Sequence, residues 1–128
     1  MGTVRGVFGV AQHAEDLDRA RDFYAWLLEA APTGVFDPPG LVFFQAGRVR
    51  LLLERAAPSA LLYWEVADVH ETVSRCRARG VPIVSEPHVI FRHENDALGP
   101  AGTEEWMAFV SDPEGNTVGL VSHQAPTA

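Results

Sequence analysis

Two stretches decide the fold: residues 7–30, VFGVAQHAEDLDRARDFYAWLLEA, and residues 61–80, LLYWEVADVHETVSRCRARG. Each reads as a short apolar strand, then an aspartate suited to cap a helix, then an amphipathic helix. An offset of 52 residues (68 − 16) aligns them and pairs Asp16 with Asp68. The chain is therefore predicted to contain two copies of one structural unit.

Both predicted helices carry an apolar stripe at intervals of three and four residues. In the first helix the stripe consists of Leu17, Ala20, Tyr24, Leu27 and Leu28. In the second helix it consists of Val69, Thr72, Val73 and Cys76. Asp16 and Asp68 are predicted as N-caps, and Gly80 suits the left-handed residue that ends the second helix. Cys76 is expected to be a buried packing residue rather than a reactive thiol.

Strand-like stretches follow each helix. They are residues 41–44 and 49–53 after the first, and 83–85 (extendable to Phe91), 106–110 and 117–121 after the second. Turns near Gly47 and Gly115 join antiparallel neighbours, which argues against a wholly parallel sheet. Loops 33–40 and 92–103 are expected to border a binding site. The sequence thus predicts an α+β fold with the pattern β-α-β-β-β repeated twice.

The length of 128 residues fits a single domain, predicted over residues 1–123. The two modules are placed at about 4–56 and 57–123, with a tail at 124–128. Ten arginines, no lysine and a net charge of −7 argue against binding nucleic acid. No apolar run is long enough for a membrane span, and the single cysteine permits no internal disulfide. A soluble, cytoplasmic protein is expected.

Five motifs follow one another along the chain: EDLDRA at 15–20, FY at 23–24, EVADV at 65–69, RGVP at 79–82 and FVSDPEGN at 109–116. With these motifs the chain resembles the vicinal oxygen chelate superfamily, also called glyoxalase/bleomycin resistance/extradiol dioxygenase proteins. The resemblance implies two βαβββ modules forming an open curved barrel around a cleft, and a homodimer. Members include isomerases, epimerases, lyases, ring-cleaving dioxygenases, thiol transferases and metal-free drug-binding proteins, so the fold does not name the activity.

The resemblance also implies where a metal would bind. The family's ligand positions correspond here to Gly9, Leu51, Leu61 and Gly119. None of these side chains offers a donor atom, whereas a divalent ion needs three or more N or O donors at about 2 Å. No cofactor is therefore expected at the family positions.

Polar residues lie close to these positions. Because side chains alternate along a strand, His13 shares a face with Gly9, and Glu65 shares one with Leu61. The repeat relates His13 to Glu65, which makes them the candidate catalytic acid–base pair. A divalent metal is expected only if His88 converges with them.

Four further residues are predicted to contact a ligand: Arg50, Tyr63, His88 and Trp106. The remaining histidines are given ordinary roles. His70 and His93 are predicted to be solvated, and His123 to be inert near the C-terminus.

Three functions stay open from the sequence. The first is a metal-independent small-molecule-binding protein, for which the negative charge favours cationic ligands. The second is a lyase- or isomerase-type enzyme that acts on a small carbonyl or polyketide-like metabolite through His13 and Glu65. The third is an interaction module with a vestigial cleft. Whether the protein is an enzyme is left undecided.

Overall fold

The computed structural model describes residues 4–111, 113 and 116–126. The predicted turn around Gly115, with Asp112 and Glu114, lies outside the described residues. The Cα positions divide into two compact units, Phe8–Leu62 and Tyr63 onward together with the residues before Phe8.

The first module contains one helix and four strands. Its elements are β1 (Val4–His13), α1 (Leu17–Leu28), β2 (Gly34–Phe36), β3 (Leu41–Ala46) and β4 (Val49–Glu54). The strand order is β2-β3-β4-β1, with β4 parallel to β1 and the other neighbours antiparallel. The loop predicted at 33–40 thus contains a short strand, because residues 34–36 pair with the apolar start of β3.

The second module repeats the pattern. Its elements are β5 (Leu61–Val66), α2 (Val69–Arg79), β6 (Ile83–Arg92), β7 (Glu104–Ser111) and β8 (Thr117–Gln124). The strand order is β5-β8-β7-β6, with β8 parallel to β5. Gln124 belongs to β8 rather than to the predicted tail, because it pairs with Glu104. The α+β fold of two βαβββ modules is confirmed.

Helix α1 begins at its predicted cap, where the carboxylate of Asp16 accepts a hydrogen bond from the Arg19 amide at 3.0 Å. Its apolar stripe packs against a core of Ala14, Leu17, Val42, Phe44 and Leu53. Leu28 contacts this core, but Leu27 does not and is 52% exposed. The prediction that Leu27 is part of the stripe was wrong, because the stripe follows the Leu17–Tyr24–Leu28 side of the helix.

Helix α2 also begins at its predicted cap, since Asp68 accepts from the amides of His70 and Glu71. It ends at Gly80, which adopts the predicted left-handed conformation with a φ of 88°. Its core consists of Val66, Val69, Val73, Ala108, Val110 and Leu120. Cys76 is partly buried against this core, in agreement with its predicted packing role.

The second module's sheet has two chemically different faces. Ala108 and Val110 of β7 pack beneath α2, so alternation turns Glu105, Met107 and Phe109 to the opposite side. The same counting on β8 places Gly119, Val121 and His123 with them, because these residues pair with Phe109, Met107 and Glu105. We call this side the helix-free face.

Within the described part of the chain, neither helix is long and apolar enough to cross a membrane.

Candidate functional site

Three potential metal-ligating side chains converge on the helix-free face. The Nε2 atoms of His93 and His123 lie 3.0 and 3.3 Å from Oε1 of Glu105. One ligand atom from each residue lies within 4.8 Å of the others, and this is the one such group among the described residues. We call these three residues the His–Glu–His cluster.

The cluster is buried. The side chain of Glu105 is 0% exposed, that of His93 4% and that of His123 9%. A carboxylate only accepts hydrogen bonds, so both imidazoles donate Nε2–H to Glu105 in this arrangement. The burial makes the imidazole–carboxylate contacts stronger than the same contacts would be in water.

Strand pairing brings two of the three residues together. In the β7–β8 ladder Ser111 pairs with Thr117, and six residues further from the turn Glu105 pairs directly with His123. Side chains directly opposite each other on an antiparallel pair have neighbouring Cβ atoms. The hairpin register therefore fixes the Glu105–His123 contact.

The third residue comes from the loop after β6. His93 donates its amide to the Thr103 carbonyl at 2.9 Å, and its own carbonyl accepts from Gly102 at 2.7 Å. These two backbone hydrogen bonds close the base of the loop between β6 and β7. They hold His93 where its imidazole contacts the carboxylate of Glu105. The prediction that His93 is solvated was wrong, because its imidazole is buried against the Glu105 carboxylate. His123 also contacts this carboxylate, and its predicted lack of a function stays a prediction.

Gly99 lies directly against the two imidazoles of the cluster. A Cβ at this position would stand 2.8 Å from Nε2 of His93 and 3.2 Å from Nε2 of His123. Both distances are shorter than ordinary contacts, so a side chain here would crowd the two nitrogens. The absence of a side chain at Gly99 therefore lets both imidazoles keep their positions in the cluster.

The preceding residue offers a contrast. Glu104 is also fully buried, but alternation turns it away from Glu105. Its carboxylate pairs with Arg92 at 3.2 Å, so it meets an exposed cation instead of two imidazoles. Two successive buried glutamates thus have unrelated partners.

The family's metal positions do not fit a metal in this chain. Gly119 lies on the helix-free face but has no side chain. Leu51 packs in the α1 core and therefore faces the helix, which corrects its predicted assignment. In the first module the neighbouring Leu52 pairs with Ala11, and in the second module Gly119 pairs with Tyr63. The repeat relates Ala11 to Tyr63, so Leu52 is the counterpart of Gly119. It too lacks a donor atom.

Three predicted residues share the helix-free face with the cluster. Tyr63 packs its ring against Phe109 at 5.9 Å, and Glu65 pairs with Val121 in the β5–β8 ladder. His88 pairs with Met107. Its Nδ1 lies 2.8 Å from the Glu86 carbonyl, which can only accept, so Nδ1 is the donor of this hydrogen bond.

The other predicted residues are placed differently. Trp106 packs with the α2 core and lies 4.6 Å from the His70 ring, on the face opposite Glu105. His70 is half exposed, as predicted. Arg50 is buried, with its guanidinium carbon 4.5 Å from the Phe8 ring centroid and 5.2 Å from that of Phe43. Ligand contact by Trp106 or Arg50 stays a prediction.

His13 has a carboxylate partner in its own module. Its Nε2 lies 2.9 Å from Oε1 of Glu15, with 39% and 81% of the two side chains exposed. Both residues line a pocket of about 460 Å³ at the start of α1, together with Arg19, Phe23 and Tyr24. The predicted pairing of His13 with Glu65 stays a prediction.

Comparison with known proteins gives a family match. The model of the Glyoxalase/Bleomycin resistance protein/Dioxygenase superfamily matches residues 9–120. A search of curated proteins gives no match.

Solved structures share the fold at low sequence identity. A superfamily member from Vibrio splendidus 12B01 is 15% identical with a TM-score of 0.65, over 94% of this chain and 99% of that one. Methylmalonyl-CoA epimerase from Mycobacterium tuberculosis is 21% identical with a TM-score of 0.58, over 98% and 92%. The Mn(II)-bound glyoxalase from Novosphingobium aromaticivorans is 18% identical with a TM-score of 0.70, over 100% of this chain and 43% of that one.

Proposed function

Because the chain belongs to the Glyoxalase/Bleomycin resistance protein/Dioxygenase superfamily, we propose that it binds an organic small molecule without a metal at the family's usual positions. One observation carries this proposal. Glycine or leucine stands at every one of those positions, at Gly9, Leu61 and Gly119 and at Leu51 or the neighbouring Leu52. Neither residue can replace an imidazole or a carboxylate as a ligand.

The residues near these positions suit an organic ligand. Tyr63 offers an aromatic ring and a hydroxyl, and Glu65 offers a negative charge on the same strand face. His88 offers a further polar ring atom, since its Nδ1 is bonded to the Glu86 carbonyl and its Nε2 is left for a ligand. Such a mixture of aromatic surface and a few polar groups is typical of ligand sites. The carboxylate of Glu65, in a chain of charge −7, favours cationic ligands.

Isothermal titration calorimetry with matched cationic, neutral and anionic aromatic compounds tests this proposal. We expect a cationic compound to bind, and Glu65→Gln to weaken it about tenfold, since a hydrogen bond to a charged group contributes about 1.5–3 kcal/mol. Glu71→Gln, which removes a carboxylate from α2, is the control and should leave affinity unchanged. The proposal is contradicted if no compound binds, or if Glu65→Gln and Glu71→Gln bind the cationic compound with the same affinity.

A second candidate function is supported by the His13–Glu15 pair. A histidine 2.9 Å from a carboxylate, at the edge of a pocket, is an arrangement that can abstract or donate a proton. The protein would then be a lyase- or isomerase-type enzyme that removes a proton next to a carbonyl group, with His13 and Glu65 as its predicted acid–base residues.

Deuterium exchange separates this candidate from simple binding. Small carbonyl compounds are incubated with the protein in D₂O, and exchange at the carbon next to the carbonyl is followed by NMR. An enzyme should catalyse exchange that falls about 10²- to 10⁴-fold in His13→Ala, the usual contribution of a general base. His70→Ala removes another histidine that lies beside a carboxylate and should retain the rate. Equal exchange in all three proteins would refute the role of His13.

A further inference from the structure

We propose that His93, Glu105 and His123 bind one divalent transition-metal ion, at a position that the family does not use. The cluster combines two imidazole nitrogens and one carboxylate oxygen from three separate segments of the second module. The family-related position on the same strand as His123 is Gly119, four residues away. The inference stands apart from ligand binding by Tyr63, Glu65 and His88.

The distances within the cluster suit a shared ion. Ligands at about 2.0–2.1 Å from one metal, separated by angles between a right angle and the tetrahedral value, lie about 2.8–3.4 Å apart. The two nitrogen–oxygen distances are 3.0 and 3.3 Å. The third distance, between the two imidazole nitrogens, is within 4.8 Å, so an ion would be accepted by turning the two imidazoles toward it.

Charge and burial favour a cation here. Glu105 is fully buried, and its Oε1 lies within hydrogen-bond distance of both imidazoles in a site with little access to water. A divalent ion is attracted by the carboxylate and takes the place of these two hydrogen bonds. Each imidazole then presents its Nε2 lone pair, and its proton moves to Nδ1 or is released.

Gly99 carries no side chain that would displace the two imidazoles from the cluster. The loop that carries it is ordered by local bonds, with Asp96 accepting from the Ala101 amide at 2.8 Å and Thr103 donating to the Pro100 carbonyl at 2.6 Å. With three protein donors, a tetrahedral ion keeps one position for water or another small ligand. A Cβ at Gly99 would intrude on both nitrogens and so disturb such an ion.

The donor types narrow the choice of metal. Imidazole suits Zn²⁺, Fe²⁺, Co²⁺, Ni²⁺ and Cu²⁺, whereas Mg²⁺ and Ca²⁺ take oxygen ligands. Two histidines and one glutamate, without a thiolate, therefore favour a transition-metal ion over Mg²⁺. Zn²⁺ and Co²⁺ are the probes of choice, because Co²⁺ reports its coordination through its visible absorption.

The test uses the full chain without an affinity tag, stripped by a chelator and dialysed. Calorimetric titration with Zn²⁺ should show one ion per chain, with no binding of Mg²⁺. Co²⁺ should give the absorption of a low-coordinate site. Glu105→Gln should weaken Zn²⁺ binding more than about 100-fold, because residues that only support a ligand already cost about 10- to 100-fold.

Two variants separate a metal site from a general loss of structure. Gly99→Ala keeps all three donors and introduces no backbone strain, because Gly99 does not have a positive φ of the left-handed kind. It should still weaken Zn²⁺ binding by crowding both nitrogens. Glu104→Gln removes an equally buried carboxylate on the other face and should leave the affinity unchanged.

Several results would overturn the proposal. They are a wild-type protein that binds no Zn²⁺, an affinity that Glu105→Gln and Gly99→Ala leave intact, or an equal loss in Glu104→Gln. In each of these cases the cluster is a buried hydrogen-bond network and not a metal site.

Discussion

The two modules each bring histidine and glutamate together, in opposite environments. In the first module His13 and Glu15 meet at 2.9 Å with 39% and 81% of their side chains exposed. In the second module His93, Glu105 and His123 meet at 3.0 and 3.3 Å with at most 9% of any side chain exposed. The imidazole–carboxylate distances are thus nearly equal in the two modules, but the solvent exposure of the side chains differs widely.

This difference determines what each group can do. An exposed pair is screened by water and salt, and it contributes little to stability while its histidine stays accessible for proton transfer. A buried group has lost its hydration, so every donor must be matched and a missing partner is costly. The first arrangement suits acid–base chemistry, and the second suits metal binding or structural anchoring.

Asp68 is an intermediate case. Its side chain is 44% exposed, and it accepts from two backbone amides at the start of α2. Three carboxylates, Glu105, Asp68 and Glu15, therefore form a series of increasing exposure. Their replacement should destabilise the fold in that order.

The largest effect is expected for Glu105→Ala. Two buried imidazoles would lose their acceptor, and each unsatisfied buried donor costs about 1–3 kcal/mol, so we expect a loss of about 2–6 kcal/mol. Urea unfolding in the presence of a chelator measures this free energy without any contribution from metal. A loss below about 1 kcal/mol would show that the cluster is more hydrated than its burial indicates.

Asp68→Ala should have a smaller effect, about 1 kcal/mol within a range of about 0.5–2 kcal/mol, because it removes the N-cap of α2. Asp68→Asn keeps a capping acceptor and should recover most of the loss. The same unfolding experiment checks both variants. If alanine and asparagine are equally destabilising, the capping bond is not the cause.

Glu15→Gln should have the smallest effect on stability, below about 1 kcal/mol, as is usual for exposed ion pairs. Thermal unfolding at low and high ionic strength measures it, and added salt should shrink the small difference further. A loss comparable with that of Glu105→Ala would remove the contrast between the two modules.

The sequence was sufficient for the fold because the fold depends on local, repeated signals. Asp16 and Asp68 cap the helices as predicted, and the β-α-β-β-β order follows from strand-like runs and turn residues. Residues 34–36 were missed because a three-residue strand has too few residues to show an alternation.

The His–Glu–His cluster was harder to predict, for two different reasons. The Glu105–His123 contact was available in principle, since a hairpin with Ser111 opposite Thr117 places residues 105 and 123 opposite each other. His93 carries no such signal. The β6–β7 register shifts at several points, and the position of His93 depends on the folding of the following loop.

Anomalous X-ray diffraction at the zinc absorption edge, from crystals of the tag-free protein grown with Zn²⁺, tests the central claim most directly. The account predicts one strong peak about 2 Å from Nε2 of both His93 and His123 and from a carboxylate oxygen of Glu105. A peak beside Gly9, Leu61 or Gly119, or no peak within reach of the cluster, would contradict it.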